Sequence, residues 1–292
     1  MTATLARPTR FHPSVGTGQR VRRRLGGKLA LTVVAWLATL IFVLPTLWMV
    51  LTSFHQEVDA VANPPAVAAT LTLEYYRELL TGKLLGPLIN SLIASIVPTI
   101  LVVALAIPAA FALAIRQVPK WRDVMFFFLS TKMMPAVAGL LPMYLIVKNL
   151  GLLDNVWVLV VLYLSANLPL GIWMMAQFFR EIPRELIEAA ELDGADTRTI
   201  LWRVVLPMAY PGIAATALIS FIFSWNEFLF ALNLTATQAY TAPVYLIGFL
   251  SGQRLFLAHL CAASVIVSLP VLIAGFAAQD KLVQGLSLGA VK

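Results

Sequence analysis

The chain has 292 residues, of which 60% are hydrophobic and only 12% are charged, and its mean hydropathy is +0.86. A soluble domain carries roughly 25% charged residues, so an apolar excess of this size has to face lipid. A net charge of +7 would suit a nucleic-acid-binding protein. Here the basic residues flank apolar stretches, as in the cytoplasmic loops of membrane proteins, so no nucleic-acid partner is expected.

Uncharged stretches of about 20 residues predict membrane-spanning helices. Six stretches qualify, and they cover residues 29–53, 88–115, 124–147, 156–178, 208–233 and 257–279. Lys132 interrupts the third stretch and Glu227 interrupts the fifth. We therefore predict an all-α membrane protein with six transmembrane helices, whose transmembrane domain covers residues 28–282.

The basic residues are distributed unequally between the two sides of the predicted bilayer. Sixteen of the 21 flank one side, where they lie in the N-terminal tail, the second-to-third and fourth-to-fifth loops and the C-terminal end. The other side holds Arg77, Lys83, Lys148 and Arg254. Because Lys and Arg are concentrated in cytoplasmic loops, both termini are predicted to be cytoplasmic. Residues 1–27 and 283–292 are expected to be cytoplasmic tails.

The cytoplasmic loop between the fourth and fifth spans covers residues 179–207 and predicts two short helices that meet at a bend. Asp193 and Gly194 supply the turn, because glycine takes the positive φ that often ends a helix. Either Asp196 or Thr197 can cap the second helix.

This loop resembles the EAA signature of the permease subunits of binding-protein-dependent ABC importers. The signature is Glu-Ala-Ala, three residues, Gly, nine residues, a branched apolar residue, one residue and Leu-Pro. Its positions are occupied by Glu188, Ala189, Ala190, Gly194, Val204, Leu206 and Pro207. Val204 stands where the family usually has isoleucine. The resemblance assigns this set, together with Asp193, to coupling with an ATPase.

The same resemblance implies a type I ABC importer permease fold in the bacterial cytoplasmic (inner or plasma) membrane, with several passes. The implied partners are a second permease subunit in a heterodimer, two ATPase subunits that bind ATP and Mg²⁺, and an extracytoplasmic solute-binding protein. The chain itself is expected to be a transport subunit and not an enzyme, with no cofactor and no metal. Gly26-Gly27-Lys28 is followed by Leu29, where a nucleotide-binding P-loop requires Ser or Thr.

Further segments resemble the carbohydrate branch of these permeases, the maltose-permease-like proteins. The segments 201–208, 233–237 and 285–292 are most similar to permeases for mannitol and sorbitol. The resemblance therefore implies a sugar alcohol or a sugar as the solute. Trehalose permeases share parts of the same segments, so trehalose or another oligosaccharide is the alternative.

Polar residues inside apolar spans are candidates for the solute path, because they are costly in lipid. The candidate set is Glu227, Asn226, Trp225, Asn90 and Lys132. On a continuous fifth helix, Glu227 would lie roughly 30 Å from the cytoplasmic end, where it binds solute, holds a gate or is paired structurally. Trp225 is expected to be a gate or an interfacial anchor. For Asn90, interhelical hydrogen bonding is favoured over solute binding, and for Lys132, snorkelling or packing is favoured over lining the path.

Two other classes of protein remain as alternatives. An ion-coupled secondary transporter should carry acidic residues at the membrane midplane, but Glu227 and Lys132 are the only intramembrane charges, and the EAA signature would be unexplained. An intramembrane enzyme would need a catalytic constellation that the spans do not offer. Cys261, the single cysteine, excludes an intramolecular disulfide and is expected to be a buried apolar residue.

Overall fold

The computed structural model describes residues 18–64, 69–251 and 254–290, and it divides into two compact units after Leu51. The α-helices, in chain order, are α1 (Gly18–Thr52), α2 (Glu57–Ala60), α3 (Glu74–Thr81), α4 (Leu85–Ala114), α5 (Trp121–Lys132), α6 (Ala136–Asn149), α7 (Val156–Arg180), α8 (Arg184–Leu192), α9 (Thr197–Thr199), α10 (Leu206–Met208), α11 (Tyr210–Trp225), α12 (Leu229–Leu234), α13 (Ala242–Ile247) and α14 (Leu257–Ala290). A π-helical turn, Ile200–Val205, joins α9 to α10. A short antiparallel hairpin pairs β1 (Leu250–Ser251) with β2 (Arg254–Leu255).

Four described helices are long and apolar enough to cross a membrane. These segments are Leu31–Thr52 in α1, Leu85–Ala114, Val156–Arg180 and Leu257–Gln279 in α14. Two further segments qualify only as bent pairs, α5 with α6 at 84° and Thr197–Met208 with α11 at 76°. The described part of the chain therefore has four continuous candidate spans, and up to six if each bent pair is one span.

The third and fifth apolar stretches were each expected to form one span, with a continuous helix in the fifth, and the structure breaks the helix in both. The third breaks after Lys132 and restarts behind Pro135, whose ring disfavours helix at the preceding residue. The fifth begins at Tyr210, stops at Trp225 and resumes only as the six-residue α12. Glu227 consequently lies in a break between two helices and not 30 Å along one helix.

The first and last helices reach into the segments predicted to be tails. The backbone of α1 begins at Gly18, inside the segment 1–27 that was expected to be a tail, and residues 1–17 lie outside the described residues. The backbone of α14 continues to Ala290 and covers most of the segment 283–292. Both terminal spans therefore extend as helices beyond their apolar stretches.

The second unit is built around α4, α7 and α11, which contact one another, with α14 packed against α11. Small side chains occupy the contacts: Ala106, Ala110 and Thr216 are fully buried. Gly171 in α7 lies so close to α4 that an added Cβ would be 2.5 Å from Val102 Cγ1. Since helices in a membrane gain stability mainly from close packing, these small residues bring the helix backbones together.

The bundle has two ends, which we name after one residue each. The Arg116 end comprises the end of α4, the end of α7 and the segment α8–α10. The Asp154 end comprises α2, α3, α12, α13 and the starts of α4, α7 and α14.

At the Asp154 end, Glu57 of α2 caps α14 by accepting hydrogen bonds from the backbone N–H groups of Ala258 (3.0 Å) and His259 (2.9 Å). The His259 ring lies between two carboxylates, with Nδ1 2.9 Å from Glu57 and Nε2 2.9 Å from Glu78 of α3. Its ring also lies against that of Tyr75, with 4.0 Å between centroids. These contacts fix α2 and α3 to the first turn of α14.

Candidate functional site

The loop with the EAA signature is folded by local backbone chemistry. Helix α8 ends at Leu192, and Gly194 takes φ +81°. The Gly194 N–H then donates to Glu191 O (3.0 Å), and the Ala195 N–H donates to Ala190 O (2.9 Å). This is the Schellman arrangement that satisfies the last carbonyls of a helix. The predicted turn at Gly194 is confirmed.

The second helix of the loop begins at a side-chain cap. The carboxylate of Asp196 accepts a hydrogen bond of 2.9 Å from the Thr199 N–H, so of the two predicted caps Asp196 is the one used. The side-chain and backbone hydrogen bonds from Thr199 lower the pKa of the Asp196 carboxyl. Past this cap the chain runs through the π-helical turn and α10, where Pro207 lies, before bending by 76° into α11.

The loop has a buried face and an exposed face. Ile187, Ile200 and Val205 are buried in an apolar cluster with the ends of α4 and α7. On the other face, Glu188, Ala189, Asp193, Gly194 and Pro207 are exposed, whereas Ala190, Val204 and Leu206 are half-buried. The loop is therefore anchored by its buried residues, and much of the EAA signature faces outward.

Two large apolar side chains extend the exposed face, and the sequence analysis did not select them. Leu192 is 89% exposed and Trp202 is 60% exposed. Beside α8, a cavity of about 480 Å³ is lined by Glu188, Glu191 and Arg184 and by the ends of α4 and α7. An apolar surface next to charged groups is typical of a docking site for another protein. In the sequence, the one clue to a role for Leu192 and Trp202 is that both lie within the EAA signature.

Arg116 connects the end of α4 to this loop. Its guanidinium pairs with the Glu191 carboxylate at 2.5 Å and donates to Thr197 Oγ1 at 3.0 Å. These partners lie on the two sides of the Gly194 turn, so one side chain holds both helices of the loop to a membrane span. In the sequence, Arg116 is only one of the basic residues of the second-to-third loop, and its partners 75 and 81 residues away are not apparent.

Glu227, the acidic residue of the fifth span, caps a helix. Its two carboxylate oxygens accept hydrogen bonds from the backbone N–H groups of Phe230 (3.0 Å) and Ala231 (3.3 Å) at the start of α12. A carboxylate in this place satisfies donors that the helix leaves free and complements its dipole. From the sequence, Glu227 could bind solute, hold a gate or be paired structurally. These hydrogen bonds are a structural pairing.

Three other candidates for the solute path also have structural partners. Trp225 is 3% exposed, within an apolar cluster that includes Leu79 and Ala263. Asn226 is exposed and donates to Ile222 O at 2.9 Å. Asn90 donates to Gln238 O (2.7 Å) and Tyr240 O (3.1 Å), which ties α4 to the segment before α13.

Lys132 differs from the other candidates. It is the last residue of α5, at the 84° bend, and its side chain is exposed. Its Nζ lies 6.0 Å from the centroid of the Phe223 ring. The ion pairs of the described residues do not include it.

The sequence as a whole has known relatives. Residues 106–287, more than half of the chain, match the family described as "Binding-protein-dependent transport system inner membrane component". The chain belongs to this permease family. It is accordingly a component of the inner membrane and of an ABC transporter, and not an enzyme.

Curated relatives of the permease align over most of its length. It is 36% identical over 267 residues to a probable ABC transporter permease, y4oR, of Sinorhizobium fredii, covering 91% of this chain and 96% of the relative. It is 33% identical over 254 residues to the trehalose permease SugB of Mycobacterium tuberculosis, covering 85% and 92%. It is 30% identical over 278 residues to the trehalose/maltose permease MalG of Thermococcus litoralis, covering 93% and 99%.

A solved structure has the same fold. It is a chain of a bacterial ABC transporter involved in the import of the acidic polysaccharide alginate, matched with a TM-score of 0.73. The match covers 93% of the permease and all of that chain at 22% identity. This likeness establishes an importer permease fold.

The permease also has a polar cluster that the sequence analysis missed. Asp154, in the turn before α7, accepts hydrogen bonds from four successive backbone N–H groups, those of residues 236–239, at 2.9 to 3.2 Å. The Thr237 hydroxyl adds a fifth donor at 3.0 Å. Asp154 has φ +58°, a value that Asp adopts more readily than most residues.

Asp154→Asn is expected to reduce the stability of the permease in a pH-dependent way. Burial acts to raise the pKa of the Asp154 carboxyl, but the four backbone donors outweigh it and hold this pKa far below its ordinary value of 3.8. A lowered pKa means that the stabilisation is present at neutral pH and is lost as the pH falls below the ordinary value. We expect a loss of about 1–2 kcal/mol at pH 7, after allowance for solvent screening.

Thermal unfolding of the detergent-solubilised permease between pH 7 and pH 3 measures this effect. The difference in unfolding temperature between wild type and Asp154→Asn should shrink as the pH falls below about 4, because the Asp154 carboxyl is then protonated in the unfolded chain while it stays ionised in the folded one. Asp59→Asn, in α2, is the control and should match wild type. A difference that stays constant over this pH range would contradict the role given to the charge.

Proposed function

We propose that the permease is one of two membrane subunits of an importer and that the segment 184–207 is the docking site for a separate ATPase subunit. The orientation proposed has this segment and both termini in the cytoplasm, as the distribution of basic residues predicts. The observation that carries the proposal is the outward-facing EAA signature, held rigidly by the Gly194 turn and the Asp196 cap. ATP and Mg²⁺ would be bound by the ATPase partner.

Each part of the loop has a role in this proposal. Glu188, Ala189 and Ala190 form the contact surface, since small side chains allow close approach and the carboxylate meets donors of the ATPase. Asp193 and Gly194 end α8 and set its direction. Val204, Leu206 and Pro207 connect the loop to the bend before α11, and they transmit movement of the loop to that helix. The exposed side chains of Leu192 and Trp202 supply apolar area that a partner would bury.

Transmission of movement into the membrane follows from the anchors of the loop. Ile187, Ile200 and Val205 pack against the ends of α4 and α7, so displacement of α8 moves those ends. Arg116 adds a direct link from the loop to α4. Closure of the two ATPases would thereby rock the spans and open the path to alternate sides.

Arg116→Met is expected to weaken this link without unfolding the permease. The Arg116–Glu191 pair is exposed, and exposed pairs contribute only about 0.2–1 kcal/mol to stability. We expect membrane abundance near wild type and the amount of solute imported per ATP hydrolysed to fall several-fold. Arg122→Met is the matched control, because Arg122 lies over the Trp121 ring at 5.2 Å and is absent from the ion pairs of the described residues. If the two variants import the same amount of solute per ATP hydrolysed, Arg116 does not link the loop to α4.

The proposed solute is a sugar alcohol of the mannitol or sorbitol type, supported by the likeness of residues 201–208 and 233–237 to such permeases. Trehalose or another oligosaccharide is the second candidate. It is favoured by the 33% identity to a trehalose permease and the 30% identity to a trehalose/maltose permease. An extracytoplasmic binding protein would deliver the solute at the Asp154 end, and a different second permease would complete the heterodimer.

Purification and labelling test the proposal. The affinity-tagged permease, solubilised with its partners, should copurify an ATPase, and solute-loaded binding protein should stimulate ATP hydrolysis.

Cysteines at Arg184 and Gln238, placed singly in a Cys261→Ala background, should differ in their labelling in intact cells. An impermeant maleimide should label only the Gln238 site. Labelling at Arg184, or purification without an ATPase, would overturn the docking assignment. Uptake of sorbitol, mannitol, trehalose and maltose then separates the two solute candidates.

A further inference from the structure

The bend between α5 and α6 forms one wall of a groove. The groove has a volume of about 450 Å³, within the range of small-molecule sites. Besides Lys132, its lining includes Thr131, Met143, Ser165 and Phe230, contributed by α5, α6, α7 and α12. It thus combines a cation, two hydroxyls and apolar side chains.

The groove lies near the middle of the bilayer by two independent estimates. Along α5, Lys132 is about 17 Å from Trp121, and the hydrocarbon core is about 30 Å thick. Along α7, Ser165 is about 14 Å from Val156 and about 22 Å from Arg180. At this depth the ammonium of Lys132 is too far from either surface to snorkel out of the hydrocarbon.

Exposure to lipid is therefore excluded on energetic grounds. An unpaired ammonium at the bilayer centre costs about 2.5–3.5 kcal/mol or more. In addition, the backbone between Lys132 and Ala136 is not helical, and such backbone at membrane depth is tolerated only where it is covered by protein or lines a water-filled cavity. In the assembled importer the groove must consequently face the solute path or the second permease.

The polar atoms of the groove are complementary to a polyhydroxy solute. The hydroxyls of Thr131 and Ser165 donate to Phe128 O (2.7 Å) and Leu162 O (2.8 Å), which leaves their oxygen lone pairs as acceptors. Lys132 supplies donors and has no carboxylate within ion-pair distance among the described side chains. Phe230 and Met143 supply apolar surface for the C–H faces of a carbon chain.

We propose that this groove is a solute subsite in which Lys132 donates hydrogen bonds to an oxygen of the travelling solute. This inference rests on the proposed function, because it requires that a solute passes through the permease. The chemistry recognised is an oxygen that accepts hydrogen bonds on a carbon chain with several hydroxyls. Either a hydroxyl of a neutral polyol or the carboxylate of a sugar acid provides it.

The test uses the complete importer, with both permeases, the ATPases and the binding protein, reconstituted in liposomes. Radiolabelled sorbitol, trehalose and gluconate are the probes. Lys132→Met removes the charge and Lys132→Arg keeps it. Lys148→Met is the control, because Lys148 is also an exposed lysine but lies on α6, outside the groove. Uptake, stimulated ATP hydrolysis and subunit stoichiometry are measured for each variant.

We expect Lys132→Met to lower uptake of the imported probe by at least about tenfold, as removal of a charged hydrogen bond does. Stimulated ATP hydrolysis and stoichiometry should remain near wild type, Lys132→Arg should restore part of the uptake, and Lys148→Met should match wild type. Lys132-dependent uptake of sorbitol identifies a hydroxyl as the recognised group, and uptake of gluconate alone identifies a carboxylate. Normal uptake by Lys132→Met would overturn the subsite. So would loss of stoichiometry, which would indicate a pair between Lys132 and the second permease.

A labelling experiment tests the groove without knowledge of the solute. Ser165→Cys in the Cys261→Ala background should react with an anionic methanethiosulfonate during turnover, because only a thiol in water ionises and reacts quickly and the Lys132 ammonium attracts an anionic reagent. A reactive Gln238→Cys is the positive control. An unreactive Ser165→Cys would overturn the subsite. If the wild-type importer hydrolyses no ATP and imports no probe, the proposed function itself fails, and that outcome is distinct from a selective defect in Lys132→Met.

Discussion

Gly194→Val is expected to lower solute uptake and solute-stimulated ATP hydrolysis together, by at least about tenfold. Gly194 has φ +81°, which a β-branched residue adopts only with strain of about 1–3 kcal/mol. Relief of that strain breaks the bonds from Gly194 and Ala195 to the end of α8 and so turns α8 relative to α9. No atom lies within 4 Å of an added Cβ, so the effect comes from the backbone and the partner surface and not from internal clash.

The variant should still reach the membrane in normal amounts, because Gly194 lies outside the candidate spans. Gly151→Val is a matched control, since Gly151 also has a positive φ (+68°) and open space around it, but lies in the turn after α6. Membrane abundance, copurified ATPase and uptake should be measured for both variants. If Gly151→Val loses the ATPase as fully as Gly194→Val, strain in general and not the docking loop would explain the loss.

Gly212→Ala is expected to destabilise the permease by about 1–3 kcal/mol, the usual cost of forcing extra volume into packed side chains. An added Cβ at Gly212, in the first turns of α11, would overlap the Phe178 side chain near the end of α7. The overlap involves the root of the ring and its Cβ, so rotation of a flexible tip cannot relieve it. We expect α7 and α11 to separate at the Arg116 end and the unfolding temperature in detergent to fall.

Gly275→Ala supplies the comparison for this prediction. Gly275 is also inside a helix, α14, but an added Cβ there meets no atom within 4 Å. Alanine favours helix over glycine by about 0.5–1 kcal/mol, so this variant should equal or exceed the stability of wild type. Equal stability of the two variants would mean that α7 and α11 do not approach each other as closely as described.

Features that depend on neighbouring residues are predictable from this sequence. Gly194 and Asp196 act on backbone groups within five residues, and the predicted turn and one of the two predicted caps are found in the structure. The apolar stretches likewise lie in helices, since each stretch has enough apolar surface by itself. Local chemistry thus accounts for the loop and for the existence of the spans.

Features that depend on distant residues are not predictable in this way. Asp154 bonds to residues 82 to 85 positions away, and Arg116 bonds to residues 75 and 81 positions away. The 84° bend places Lys132 at a helix break, and Glu227 lies in a separate break between α11 and α12. The composition of an apolar stretch predicts a span, but it does not reveal the tertiary contacts that break the span into two helices.

The bonds from Glu57 to the first turn of α14 have a consequence for the biosynthesis of the permease. The two partners are 201 and 202 residues apart, so Glu57 leaves the ribosome long before Ala258 and His259 exist. At about 5–20 residues per second, the interval between their synthesis is about 10–40 s. During that interval Glu57 and Glu78 lack the partner that later lies between them, and the cap forms only when the last helix is inserted. A nascent chain arrested before Leu257 would therefore hold α2 and α3 without the contacts that fix them to α14.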